Sequence, residues 1–215
     1  MSRHRTKTWR RTDLLVDDTL LRRRCADIQD VSRTARCVPR TDHLWTGDTL
    51  VQRQAEVRAA SLPAGMEARP HLDRLAADLD ALSSLPVHGD ITLKNLLFDG
   101  RRLFLVDWEP AHHQLRDGRR QWMVSEPWVA LVDRRSGVLS SATDRIGFFA
   151  IAWQLLFRPH RITDRRAFAR AHHLGRAHLV PVDETELATL SWGDIVALAA
   201  ASPRWRWVVT SGTWA

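Results

Sequence analysis

The sequence predicts an α+β fold on three observations. Two short apolar runs, Leu96 to Phe98 and Leu103 to Val106, flank the turn-forming pair Asp99-Gly100, as expected of a β-hairpin. Before this hairpin, leucines and alanines recur at helical spacing from Pro70 to Leu85. After it, Ile146 to Phe157 is an apolar run of the length of a buried helix.

Length and composition allow one sizeable core, or one core with a small appended lobe. The chain has 215 residues, 44% of them hydrophobic. No apolar run reaches the roughly 20 residues that a membrane span needs, and Met1-Ser-Arg is too polar to begin a secretory signal. We therefore expect a cytoplasmic protein without a membrane span, in which Cys25 and Cys37 remain reduced thiols.

The positive charge is carried almost entirely by arginine. The formal net charge is +7, and Lys7 and Lys94 are the only lysines in the chain. The arginines are scattered instead of forming one stripe, so a nucleic-acid partner is an alternative that the pattern does not favour.

Short elements are predicted on both sides of the first helical segment. Residues 1–12 are interpreted as a basic, solvated arm. Asp18 to Cys25 and Thr49 to Val57 are interpreted as strands, whereas 110–120 is interpreted as a polar loop. Ser141-Ala-Thr-Asp144 is a capping-box-like start for the later apolar helix. Two more helices are predicted, at Thr163 to Ala177 and at Trp192 to Ala201, the second beginning at Ser191.

Polar residues cluster at one end of the predicted hairpin. His88-Gly89-Asp90 and Asn95 precede its first strand, and Asp107-Trp108-Glu109 follows its second. Folding the hairpin brings Asp90, Asn95 and Asp107 to the same end. Two carboxylates and a carboxamide suit Mg²⁺, which prefers a few oxygen ligands and leaves its other positions to water and phosphate.

In sequence order, these motifs resemble those of the protein kinase-like superfamily. His88-Gly89-Asp90-x-x-x-x-Asn95 is similar to its catalytic loop, and Asp107-Trp108-Glu109 to its metal-binding Asp-Phe-Gly segment. Gly89 and Trp108-Glu109 are closer to aminoglycoside phosphotransferases and choline kinases. Pro127-Trp128, and Asp144 before its apolar helix, are closer to serine/threonine protein kinases.

The resemblance implies an α+β, protein kinase-like fold with a mostly helical C-terminal lobe and a reduced, β-rich N-terminal lobe. The domain limits that we expect are 1–12 for the arm, 13–60 for the N-terminal lobe and 61–215 for the C-terminal lobe. It also implies Mg²⁺-dependent transfer of a phosphoryl group from ATP to a hydroxyl, with a protein acceptor favoured because little chain is left for a small-molecule pocket.

Residue roles follow from the same resemblance. Asp90 would orient the attacking hydroxyl, and Asn95 and Asp107 would hold Mg²⁺. Lys94 would contact phosphate or lie exposed, and the Thr92 hydroxyl would contact phosphate or cap the loop. Asp144 would brace the backbone of the catalytic loop.

Two elements of the kinase pattern are not visible in the sequence. No glycine precedes Gly47, so no glycine-rich loop is present before it, and no Val-Ala-x-Lys occurs. Arg22, Arg23 or Arg24 is the expected substitute for the missing lysine, although a guanidinium is a broad fork and not a point charge. The alternatives are a catalytically impaired pseudokinase that binds a nucleotide or partner, and a small-molecule kinase of the aminoglycoside or choline type.

Overall fold

The computed structural model describes residues 4–10, 17–82, 85–109, 113–116, 119–122, 130, 133, 138–157, 177–180, 184–201 and 206–209. Within these ranges the chain forms helices and small antiparallel sheets, which confirms the predicted α+β class. None of the described helices combines the length and apolar character that a membrane crossing needs.

A three-stranded antiparallel sheet forms the N-terminal region. It contains β1 (His4–Arg10), β2 (Thr41–Thr46) and β3 (Thr49–Ala55), in the order β1-β3-β2. The predicted strand from Thr49 is confirmed. The predicted basic arm is wrong for residues 4–10, because this segment pairs with β3 along its whole length and places Lys7 opposite Gln52.

Helix α1 (Asp18–Thr34) replaces the strand that was predicted from Asp18 to Cys25. Its start is fixed by the side chain of Asp17, which accepts hydrogen bonds from the backbone N–H groups of Thr19 and Leu20 at 2.9 and 3.2 Å. The prediction failed because the run of three arginines hides the helical repeat. The repeat consists of the buried residues Leu21, Cys25, Ile28 and Val31.

The C-terminal region is built around buried helices. These are α2 (Arg69–Asp80), α3 (Ser141–Phe157), α4 (Glu184–Leu187) and α5 (Trp192–Ala201), with short 3₁₀ turns at Gly65–Ala68 and Leu93–Asn95. Three of the predicted helices, α2, α3 and α5, are thereby confirmed. Helix α2 ends earlier than expected, whereas the helix predicted from Thr163 lies outside the described residues except for Ala177.

Helix α3 lies in the centre of this region. Most of its side chains are buried, and it packs against α4 and α5. The carboxylate of Asp80, at the end of α2, accepts from the N–H groups of Trp192 and Gly193 at 2.9 and 3.0 Å and so caps α5. The helices are therefore joined by capping as well as by apolar packing.

Three two-stranded sheets complete the described structure. The predicted hairpin is confirmed as β4 (Leu96–Phe98) and β5 (Leu103–Leu105), with Leu96 opposite Leu105. A second hairpin is formed by β6 (His113–Arg116) and β7 (Arg119–Trp122). The polar loop predicted for 110–120 is therefore wrong for residues 113–116 and 119–120, which are paired strands. The third pair is β8 (Ala177–Val180) with β9 (Arg206–Val209).

Both cysteines are free and buried. Burial raises the pKa of Cys25 to about 11 and that of Cys37 to about 12, so both are protonated thiols near neutral pH. The structure shows no disulfide between them, and the reduced state expected from the sequence stays a prediction.

Candidate active site

The backbone of the His88-Gly89-Asp90 loop is held by one buried carboxylate from α3. Asp144 accepts from the N–H of His88 at 2.7 Å and from the N–H of Gly89 at 2.6 Å. Gly89 has φ of 81°, a conformation that favours glycine. Complete burial raises the pKa of Asp144 to about 7, although the two N–H donors and the charge of Arg24 oppose this rise. The predicted bracing of the loop by Asp144 is therefore confirmed.

A close approach of backbone to helix fixes the other side of the loop. A Cβ atom on Gly147 would lie 2.5 Å from the carbonyl oxygen of Ile91, the residue after Asp90. No larger residue fits at position 147 without a shift of the loop or of α3. Sequence reasoning missed this contact, since nothing in the sequence separates Gly147 from an ordinary helical glycine.

The ring of His88 connects the loop to the segment before Asp107. Its Nε2 lies 2.9 Å from the carbonyl oxygen of Val106, and its Nδ1 accepts from the N–H of Asp90 at 3.3 Å. The ring also packs against Trp108, with 4.6 Å between ring centroids. Burial lowers the pKa of His88, so the neutral ring donates through Nε2. His88 thus organises the site and has a structural role.

Asp90 and Asn95 are in direct contact. The Nδ2 group of Asn95 donates to the Oδ2 atom of Asp90 at 2.8 Å and to its carbonyl oxygen at 2.9 Å. Both residues are buried, whereas Lys94 is exposed and its Nζ lies 3.1 Å from the same Oδ2. Since the amide nitrogen of Asn95 is engaged, its Oδ1 is the side-chain atom that can serve a cation.

A backbone hydrogen bond of the preceding residue brings Asp107 close to Asp90 and Asn95. The N–H of Val106 donates to the carbonyl oxygen of Asn95 at 2.9 Å, which places Asp107 next to the loop that carries Asp90 and Asn95. Asp107 itself has φ of 69°, the only positive value among the described non-glycine residues. Such backbone conformations are sparsely populated and concentrate at functional sites. The structure therefore brings Asp90, Asn95 and Asp107 to one end of the hairpin.

A lysine from β1 also enters the site. Nζ of Lys7 lies 2.5 Å from Oδ1 of Asp107 and also pairs with Oε1 of Glu109. The Arg5 guanidinium is farther away, at 3.9 Å from the same oxygen of Asp107. The two carboxylates raise the pKa of Lys7, although desolvation acts in the opposite direction.

Sequence reasoning missed Lys7. The available signals were its rarity, as one of two lysines, and the alternation of Arg5, Lys7 and Trp9 on one face of a strand. Neither signal shows which carboxylates the lysine meets, because these are about a hundred residues away along the chain.

The arginines that were expected to replace the lysine lie on α1. Arg24 is largely buried and donates to the carbonyl oxygen of Val87 at 3.0 Å and to that of Glu109 at 3.5 Å. Arg22 lies over the ring of Trp45, 5.0 Å from its centroid. Their expected contacts with nucleotide remain predictions, whereas the structure places Lys7 against Asp107 and Glu109.

Two further polar side chains, Gln52 and Thr92, lie close to these residues. The Nε2 group of Gln52 on β3 donates to the carbonyl oxygen of Trp108 at 2.8 Å and so links the sheet to the segment after Asp107. Thr92 is buried, and its hydroxyl has no hydrogen-bond partner within the described part of the chain. It does not cap the 3₁₀ turn that follows it, so the capping alternative has no support.

The arrangement suits a cation and a phosphorylated ligand. A carboxylate of Asp107, the amide oxygen of Asn95 and the nearby Glu109 are hard oxygen donors of the kind that Mg²⁺ takes. The Lys7 ammonium already lies against two of these groups, so the position accepts a positive charge. The site therefore combines oxygen ligands with lysines at its edge.

Comparisons with known proteins agree with this geometry. Residues 20–116 match the family model APH, described as the phosphotransferase enzyme family. The kinase PK-1 of Cydia pomonella granulovirus matches in structure with a TM-score of 0.53 and 15% identity, over 92% of this chain and 70% of the viral chain.

The chain has a protein kinase-like fold. The resemblance inferred from the two motifs is thereby confirmed, and both findings support a kinase-like phosphotransferase. Lys7 and Asp144 lie outside the residues that match the family model, and the fold adds them to the kinase-like site. No curated protein matches the chain.

Proposed function

We propose that this protein is an Mg²⁺-dependent phosphotransferase that moves the terminal phosphoryl group of ATP to a hydroxyl. The single observation that carries the proposal is the joining of Asp90, Asn95 and Asp107 at one end of the β4–β5 hairpin, with Asp90 hydrogen-bonded to Asn95 at 2.8 Å. A phosphotransferase family match that includes these residues supports the same conclusion.

Asp90 is proposed to orient the acceptor hydroxyl and to take its proton. The hydroxyl oxygen then forms a bond to the terminal phosphorus while the bond from that phosphorus to the bridging oxygen breaks, and ADP leaves. Asn95 holds the carboxylate of Asp90 in place, and this alignment is a major part of catalysis in phosphoryl transfer.

Asn95 and Asp107 are the proposed ligands of Mg²⁺, which, when bound, neutralises negative charge on the phosphates. Lys7 is the proposed phosphate-binding cation of the N-terminal sheet, and Lys94 the cation that contacts the transferred group from the catalytic loop. Lys7 contacts the carboxylate of Asp107, and Lys94 contacts that of Asp90. Arg22 lies instead over the ring of Trp45, and Arg24 donates to backbone carbonyl groups, so the geometry supports the two lysines better than these arginines. The hydroxyl of Thr92 is a further proposed phosphate contact.

The acceptor is proposed to be a protein hydroxyl. The viral structural neighbour is named a kinase without a stated acceptor, and the family model is that of phosphotransferases in general. A small-molecule hydroxyl is the competing acceptor. Labelled ATP, offered in parallel to a protein extract and to its small-molecule fraction, distinguishes the two by where the label appears.

A pseudokinase is the second candidate function, and one observation favours it. The Lys7 ammonium lies against the carboxylate of Asp107, so it competes with a metal ion for that carboxylate. A pseudokinase would bind nucleotide, detected as a rise in melting temperature, without turnover.

Replacing Asp90 tests the proposed function. Asp90→Asn keeps the size of the side chain but removes the base, so we expect turnover to fall about 10²- to 10⁴-fold with an unchanged melting temperature. Asp48→Asn, an exposed substitution in the β2–β3 turn, is the matched control and should retain full activity. Equal turnover by Asp90→Asn and wild type would contradict the proposal.

A further inference from the structure

Within the described residues, the ion pairs of Lys7 are with Asp107 and Glu109, in the segment that follows β5. Lys7 lies 24% exposed between Asp107 and Glu109, and Glu109 is itself only 13% exposed. The Lys7 side chain is partly buried and its ammonium contacts two carboxylates, so it has a defined position.

Helix α1 contributes a positively charged side chain to this part of the site. The residue that reaches the segment after Asp107 is Arg24, whose guanidinium donates to the carbonyl oxygen of Glu109. Two acidic residues of α1, Asp18 and Asp30, are exposed, and Asp30 pairs with Arg33 at 3.5 Å. Asp27, which is half-buried, adds its charge to the environment of Arg24.

We propose that Glu109 is a positioning residue, which holds the Lys7 ammonium beside Asp107 from the end of the metal-binding segment. In this arrangement Arg24 fixes the backbone of Glu109, Glu109 fixes Lys7, and Lys7 reaches the site from the sheet. The inference rests on the proposed function, since it explains how a lysine of β1 is kept at the phosphate position.

The arrangement has a consequence for metal binding. When Asp107 turns its carboxylate to a cation, Lys7 loses one of its two partners but keeps Glu109. Glu109 thus keeps Lys7 at the site and separates the two positive charges. Without Glu109, Lys7 has only Asp107, and the ammonium and the metal compete for the same carboxylate.

The two lysines of the chain permit a direct test of this pairing. Reductive methylation with ¹³C-formaldehyde labels Lys7, Lys94 and the terminal amine. Lys7→Arg and Lys94→Arg then assign the resonances. We expect the pKa of Lys7 to fall in Glu109→Gln, because a charged partner is lost, and to stay unchanged in Glu186→Gln, an exposed control on α4. The same pKa for Lys7 in Glu109→Gln and wild type would overturn the proposal.

Kinetics separate positioning from metal ligation. In Glu109→Gln we expect the KM for ATP to rise about tenfold, as for a lost charged hydrogen bond. The Mg²⁺ concentration for half-maximal rate should rise as well, but only while Lys7 is present to compete with the cation for Asp107. Glu109→Asp should recover part of the loss. In a background of Lys7→Met, Glu109→Gln should cause no further change, since its partner is gone. A higher Mg²⁺ requirement with an unaltered Lys7 titration would make Glu109 a metal ligand and overturn the proposal.

The two proposals fail in different ways. Absence of turnover in the wild type would remove the proposed function, yet the titration of Lys7 would still test whether Glu109 positions it. Turnover in the wild type with an unaltered Lys7 titration in Glu109→Gln would remove only the inference on Glu109.

Discussion

Two regions of the molecule contribute to the site, and they differ in the size of their cores. The N-terminal sheet packs on a small cluster whose buried members are Leu21, Cys25 and Leu50, with Trp9 and Trp45 at its margin. The C-terminal region has a continuous core that runs through α2, the β4–β5 hairpin, α3 and α5. Buried apolar area is the main source of stability, so the larger core holds its residues more firmly.

The two regions also hold different residues of the site. Asp90 and Asn95 are fixed by the large core through Asp144 and Gly147. Lys7 is carried by β1, the edge strand of the small sheet. Helix α1 joins the two regions, because Leu21 belongs to the small cluster and Ile28 to the large one. Elements with small cores open most easily, so we expect the sheet that carries Lys7 to open more readily than the region that carries Asp90 and Asn95.

Removal of the loop's anchor is the largest expected effect. Asp144→Ala leaves the N–H groups of His88 and Gly89 buried without acceptors and removes a charge near Arg24. We expect the free energy of unfolding to fall by about 2–6 kcal/mol, because each buried N–H left without an acceptor costs about 1–3 kcal/mol. Urea denaturation measures this loss, and Asp48→Ala is the exposed control. A loss below about 1 kcal/mol, a surface value, would contradict the bracing role.

Truncation in the small cluster should act locally. Leu50→Ala removes a fully buried side chain at a cost of about 2–5 kcal/mol. Because the cluster is small, we expect amide hydrogen exchange to increase in β1, β2 and β3 while the amides of α3 keep their protection. Equal loss of protection in α3 would show that the two regions unfold as one unit and would remove the distinction between them.

A substitution at the helix–loop contact tests the rigidity of the larger region. Gly147→Ala places a methyl group 2.5 Å from the carbonyl oxygen of Ile91. We expect a loss of about 1–3 kcal/mol from overpacking, and a lower turnover because the loop that carries Asp90 must shift. Gly193→Ala is the control, since a Cβ atom there would lie 3.5 Å from Oδ2 of Asp80, an ordinary contact distance. Unchanged stability and turnover in Gly147→Ala would show that the loop yields without cost.

The local part of the site was predictable from the sequence. Asp90, Asn95 and Asp107 lie within 18 residues of one another along the chain, and the Asp99-Gly100 turn sets how they meet. Asp144 was predicted in a different way, from the resemblance to protein kinases, in which an Asp at this place braces the loop. Short-range patterns therefore located the loop, and the family resemblance located its brace.

The non-local part was not predictable in the same way. Lys7 reaches the site only because β1 pairs with β3, and strand pairing across about 45 residues leaves no local signal. Helix α1 was mistaken for a strand for a local reason. The three consecutive arginines between Leu21 and Cys25 obscure the apolar repeat of the helix. The same interpretation made Arg22, Arg23 or Arg24 the expected substitute cation, which stays a prediction, and gave no indication of the contact between Lys7 and Asp107.

Phosphoryl transfer by Lys7→Met is the measurement that tests the two-region site most directly. The variant keeps the length of the side chain without its charge, whereas Arg10→Met removes an exposed charge from the same strand. We predict that Lys7→Met lowers turnover about 10²-fold or more, as for the loss of one preorganised charge contact, while Arg10→Met retains the wild-type rate. Equal rates for the two variants would contradict the account and confine the site to the C-terminal region.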